Sequence, residues 1–146
     1  MAKRILVPLD RETEHEAILP VVADLASAGG ATIRLLHVAP MPDNVVNDDG
    51  LIVAFADQEM QRLEVEWHDA LAPALAMLPP LSVEHAMRFG EPVAQILAEA
   101  TEFDADLIVV TTTRRSAVRL ALLGSVADQL VRRAKPPVLL LRPGAV

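Results

Sequence analysis

Apolar residues in this chain follow two rhythms. Ile5 to Leu9, Thr32 to Val38, Leu81 to Met87, Asp106 to Val110 and Val138 to Leu141 read as strands, and Ile5 to Leu9 and Asp106 to Val110 have the short apolar run of strands covered on both faces. Between them, apolar positions recur at three and four residues. Ile18, Val21, Val22, Leu25 and Ala26 predict a helix stopped by Gly29-Gly30, with Thr13 and Glu16 able to form a capping box and Pro20 as an internal flaw. Met60, Leu63, Trp67, Leu71, Leu75 and Leu78 predict a long helix from about Phe55, weakened near Pro73 and ended by Pro79-Pro80. Gly90-Glu91-Pro92 opens a third helix with the stripe Val93, Ile96, Leu97 and Ala100, and Val126, Leu130 and Val131 mark a fourth. Pro40, Pro42 and NVVNDDG predict a loop with mixed turn signals.

Five strands alternating with four helices predict an α/β fold, a parallel sheet covered by helices on both faces through right-handed crossovers. No repeat, low-complexity tract or linker divides the 146 residues, so one domain over 1–146 is expected. Ligands of such sheets bind beyond the carboxyl ends of the strands, where strand order reverses. Asp10, Val38 and the loop after Val110 fall at such ends.

Charge narrows the ligand. A net charge of −7 and an aromatic content of 3% argue against nonspecific binding to nucleic acid or an anionic membrane. The charge is also uneven: from Arg114 onward there are seven basic side chains (Arg114, Arg115, Arg119, Arg132, Arg133, Lys135, Arg142) and one acid, Asp128. An anion site is therefore expected towards the C-terminal part, although Arg132, Arg133 and Lys135 read most simply as solvated charges offsetting a helix dipole. With no cysteine, neither a disulfide nor a thiolate zinc site is available. The run ILVPL after MAKR is too short for a signal peptide, and no apolar stretch approaches the ~20 residues of a membrane span; a cytoplasmic protein is expected.

Gly124-Ser125-Val126 stands at the expected start of the fourth helix, where unsatisfied N–H groups and the helix dipole favour an anion. Ser125 can cap the helix or donate to a phosphate, and Arg114 and Arg115 strengthen the second role. Asp10 can accept from a ribose hydroxyl or simply cap its turn. His15, His37, His68 and His85 have no second ligand at helical or strand spacing, so they read as structural residues rather than a metal site. Met60 and Trp67 read as core on the long helix. Ser116 and Ser125 lack a histidine-and-acid arrangement or a nucleophile elbow, and neither GxxxxGK[ST] nor GxGxxG occurs.

KRILVPLD, LLHV, RFGEPVAQILAEATEFDADLIVV and LLGSVADQLVRRAKPPVLLLRP together resemble the universal stress protein family over nearly the whole chain. The resemblance implies a flavodoxin-like, Rossmann-like three-layer domain with a five-stranded sheet of order 3-2-1-4-5, and a homodimer paired through the last strand, Val138 to Leu141. One branch of the family binds ATP through GxxGx9G[ST]; another lacks the pattern and holds no nucleotide. Aligned on Gly124-Ser125, the earlier glycines of the pattern fall at Thr111 and Arg114. The resemblance implies that Pro8, Asp10 and Val38 surround adenine and ribose, that Val110, Thr111 and Arg114 line the nucleotide loop, and that Gly124, Ser125 and Val126 meet the phosphates.

Two readings follow. In one, a stress-response regulator binds an adenine nucleotide such as ATP, with Mg, weakly or in an altered pose, and Arg114 or Arg115 pairs with the phosphates. In the other, these side chains fill the cleft of a dimeric signalling or interaction module that holds no nucleotide. A positive φ at Thr111 or Arg114 would cost of order 1 kcal/mol or more and set a Cβ in the way of phosphate. No water-positioning base or metal site is identifiable, so no enzyme is expected beyond slow incidental ATP hydrolysis.

Overall fold

Ile5, Leu6 and Val7 are consecutive and all fully buried, which only a strand covered on both faces allows. They form the middle of β1 (Arg4–Pro8), the central strand of the sheet. The computed structural model describes residues 3–9, 15–76, 78–111 and 126–141. After β1 come α1 (His15–Gly29), β2 (Thr32–Ala39), β3 (Val45–Val46), β4 (Ile52–Ala54), α2 (Ala56–Ala76), β5 (Ser82–Phe89), α3 (Pro92–Phe103), β6 (Leu107–Thr111), α4 (Val126–Arg133) and β7 (Val138–Leu141).

The main sheet has the order β5-β2-β1-β6-β7 and all its pairings are parallel. Counting its five strands along the chain, this is the expected 3-2-1-4-5. Arg4 pairs with Thr32 and Pro8 with Leu36, β2 runs beside β5 from Thr32–Ser82 to Ala39–Phe89, and Thr111 ends β6 opposite Leu141. Pro8 lacks an N–H but stands last in β1, and the Leu9 N–H resumes the ladder to the Leu36 carbonyl at 2.7 Å.

Alternation along the strands divides the core in two. Ile5, Val7, Ile33, Leu35 and Val109 face α1 and α2, where they meet Ile18, Val22, Trp67 and Leu71. Leu6, Leu36, Ile108 and Val110 face α3 and α4 and pack on Val93, Ile96, Phe103 and Leu130. Among the described residues the second face carries one buried carboxylate. Glu99 of α3 is buried and accepts from Arg34 Nη1 and Arg88 Nε, each at 2.7 Å, while the Arg4 and Arg34 guanidinium groups lie over the Phe103 ring at 4.4 and 4.2 Å.

Helix ends follow local chemistry. Pro92 occupies the first turn of α3, and the Glu91 carboxylate accepts from the Val93 and Ala94 N–H groups at 3.1 and 2.7 Å. Gln58 Oε1 accepts from the Phe55 N–H at 3.0 Å, the second half of a capping box for α2, which continues past Pro73 to Ala76. On α4 only Leu130 of the expected stripe is buried; Val126 and Val131 are exposed. Arg132 pairs with Asp128 one turn earlier, as expected of a solvated charge. Thr13 lies outside the described residues.

One expectation needs correction. The segment after β2 is not all loop: Val45–Val46 and Ile52–Ala54 pair antiparallel around NDDG. The Asn47 Oδ1 accepts from the Asp49 and Leu51 N–H groups at 3.0 and 2.9 Å, and Gly50 supplies the φ of +80° that the turn requires. Asn44 Oδ1 accepts from the Ala56 N–H at 2.9 Å and ties this hairpin to the start of α2. Among the described residues no helix is long and apolar enough to cross a membrane.

Candidate functional site

Strand order reverses around β1, whose neighbours β2 and β6 connect to opposite sides of the sheet. Pro8, Val38, Val110 and Thr111 all stand at the carboxyl ends of these three strands, as the sequence predicts. Val38 and Val110 pack into the same cluster on the α3–α4 side. Val126 is the first described residue of α4 and is exposed. Asp10, Arg114, Arg115, Gly124 and Ser125 lie outside the described residues.

Thr111 carries the most informative backbone. It is a strand residue in register with Leu141, and among the described residues only Asp104 combines a side chain with a positive φ. The strain considered for a side chain here therefore does not arise. A β-branched residue suits an extended backbone, so threonine is as favourable as glycine at this point or better.

A groove of about 580 Å³ opens at the carboxyl end of β2, lined by the continuous segment His37 to Asp43 together with Leu63 and Trp67 of α2 and Met87 of β5; of the four strand-end residues, Val38 is in its wall, and Pro8, Val110 and Thr111 are not. Its walls are mostly apolar, with few polar groups to orient a ligand. His37 forms the inner end. The ring is buried, and its Nδ1 lies 2.9 Å from the Leu9 carbonyl oxygen, which can only accept; Nδ1 therefore donates this bond. This is the hydrogen-bonded structural histidine that the sequence suggests, placed by β2 at the cleft.

Trp67 stacks against His37, with centroids 5.8 Å apart and planes 27° apart, and its Nε1 is buried without a hydrogen-bond partner among the described residues. Trp67 is core, as expected, but it is also groove wall. Leu63 and Met87 were not anticipated there. The helical stripe does carry a signal for Leu63, four residues before Trp67 on one face of α2; nothing local marks Met87.

Trp67 also meets His85 in a near-perpendicular contact, with centroids 5.9 Å apart, and His85 Nε2 lies 2.7 Å from His68 Nδ1. The sequence treats these histidines as unrelated; α2 and β5 bring them together. Burial, and after it the charge of His68, lowers the His85 pKa below the ordinary histidine value. Among the described residues no group of three or more His, Cys, Asp or Glu side chains could hold a metal ion.

A doubly wound parallel sheet of this order, covered by helices on both faces, defines a flavodoxin-like α/β domain. A model of the universal stress protein family matches residues 1–142, and the chain belongs to that family. It is 29% identical to a Thermus aquaticus universal stress protein, "in QAH/OAS sulfhydrylase 3'region", over 97% of this chain and all of that one. Among solved structures, a universal stress protein in complex with cAMP shares the fold at 22% identity and a TM-score of 0.68, covering 98% of this chain and 99% of that one. The Archaeoglobus fulgidus universal stress protein in complex with dAMP does so at 22% identity and a TM-score of 0.64, covering 94% and 96%.

Proposed function

We propose that this universal stress protein is a regulatory, non-catalytic binder of an adenine nucleotide, taking ATP with Mg²⁺ weakly or in an altered pose. The observation that carries the reading is the groove at the carboxyl end of β2, with Val38 in its wall, on a strand that pairs with β1 up to Pro8. This is where doubly wound sheets take ligands, and two relatives of the same fold have been solved with cAMP and dAMP. Asp10 serves the ribose, Gly124, Ser125 and Val126 the phosphates. Arg114, at the second glycine position of the family pattern, replaces lost backbone donors by pairing directly with phosphate oxygens. The extended backbone of Thr111 supports the reading, because the first replaced glycine imposes no strain. The proposal includes a cytoplasmic location, a role in the stress response and a homodimer joined along β7.

Calorimetric titration with ATP and Mg²⁺, on protein first cleared of bound nucleotide, tests it. Saturable heat is expected, with Ser125→Ala weakening ATP more than adenosine. No heat and no thermal shift at millimolar ligand refutes nucleotide binding and leaves a dimeric signalling module of the same family.

A further inference from the structure

We propose that His68 and His85 form a two-histidine site for a divalent transition-metal ion of the zinc and copper class, clamped between α2 and the edge strand β5. The two residues are seventeen positions apart, yet their ring nitrogens, Nδ1 of His68 and Nε2 of His85, face each other at 2.7 Å with ring centroids at 4.5 Å. Two imidazoles in hydrogen-bond contact share one proton between the facing nitrogens. A metal ion replaces that proton and takes a lone pair from each ring.

The required movement is small. Metal–nitrogen bonds of about 2.0–2.1 Å at a tetrahedral centre put the two nitrogens about 3.3 Å apart, an opening of about 0.6 Å. Both side chains are exposed, so rotation about their side-chain bonds supplies it without disturbing the core, and the ion is reached directly from solvent. Trp67, near-perpendicular to His85 with ring centroids 5.9 Å apart, limits the directions in which that ring can turn. Imidazole pairs favour copper, nickel and zinc over calcium and magnesium. With no third protein ligand among the described residues, water fills the other positions and the site is open.

The bound ion would cross-link the helix to the sheet. Trp67 and Leu71 are the residues by which α2 is most deeply buried, and a metal bridge at the adjacent His68 adds an attachment to β5. An ion that binds the folded chain in this way raises its stability by mass action.

The test is a Zn²⁺ titration by calorimetry of the whole chain without nucleotide, which keeps the outcome separate from that of the ATP titration. Wild type is expected to take up one equivalent saturably. His68→Gln and His85→Gln are each expected to weaken that uptake at least as much as the ~10-fold loss seen when only an outer-shell partner is removed. His15→Gln, with the same number of histidines lost, is expected to leave it unchanged. Circular dichroism establishes that each variant is folded. Electron paramagnetic resonance of the Cu²⁺ complex should count two imidazole nitrogens in wild type and one in either variant. Absence of saturable Zn²⁺ uptake, undiminished affinity in either folded variant, or an unaltered nitrogen count would overturn the proposal.

Discussion

Replacing Glu99 by glutamine keeps the side-chain length and one acceptor oxygen but removes the charge that Arg34 and Arg88 share. The carboxylate is 5% exposed and takes one bond of 2.7 Å from each arginine. Each arginine keeps other partners: Glu84 on Arg34 at 2.7 Å, and Gln95 at 3.2 Å with Glu102 on Arg88 at 2.5 Å. Two hydrogen bonds to a charged group, at about 1.5–3 kcal/mol each, bound the loss at about 3–6 kcal/mol. The amide retains a weaker bond and the remaining partners absorb part of the rest, so a loss of about 3 kcal/mol is expected, the lower end for breaking a buried pair. For a domain of this size that lowers Tm by roughly 6–12 °C. Burial pushes the Glu99 carboxyl up, but the bonds from Arg88 and Arg34 and their charges outweigh it and hold the group below 4.5. Its contribution is therefore complete above the unfolded value and lost as pH falls through the lower folded value. Urea unfolding of both proteins from about pH 7 down to about pH 3 is the assay, and the gap should narrow in the acid range. A gap under about 1 kcal/mol at neutral pH, or one that stays constant into acid, would refute the reasoning.

Glu91→Ala removes the acceptor for two N–H groups at the start of α3 and should cost about 1 kcal/mol in chemical denaturation. Leu140, 47% exposed on the edge strand β7, is the natural disruption point for the proposed dimer: Leu140→Glu should give a monomer by light scattering with unchanged circular dichroism. A wild-type chain already monomeric at tens of micromolar, or a variant still dimeric, would count against pairing along β7.

The architecture was legible because β1, β6 and β7 are short aliphatic runs and α1 to α3 carry apolar positions at helical spacing; β1 and β6, buried on both faces, show no alternation and need none. The β3–β4 hairpin escaped notice for a physical reason. Strands of two and three residues are too short to display a period, and only the NDDG turn between them carries a local signal. Strand ends were foreseeable from topology, and Pro8, Val38, Val110 and Thr111 do stand at the carboxyl ends of β1, β2 and β6. Met87 in the groove and His85 beside His68 were not foreseeable, since both depend on how β5 aligns with β2 and how α2 lies across it. That alignment is tertiary and leaves no trace in spacing along the chain.

Trp67 has a further use. It is the chain's one tryptophan, and it stacks on His37 at the inner end of the groove and lies near-perpendicular to His85 of the histidine pair. Its ultraviolet emission therefore comes from a single known place that borders both sites. Any small molecule entering the groove, or any ion drawing His85 aside, changes the surroundings of that one indole. The protein carries its own optical reporter, without a label and without a second fluorophore of the same kind to dilute the signal.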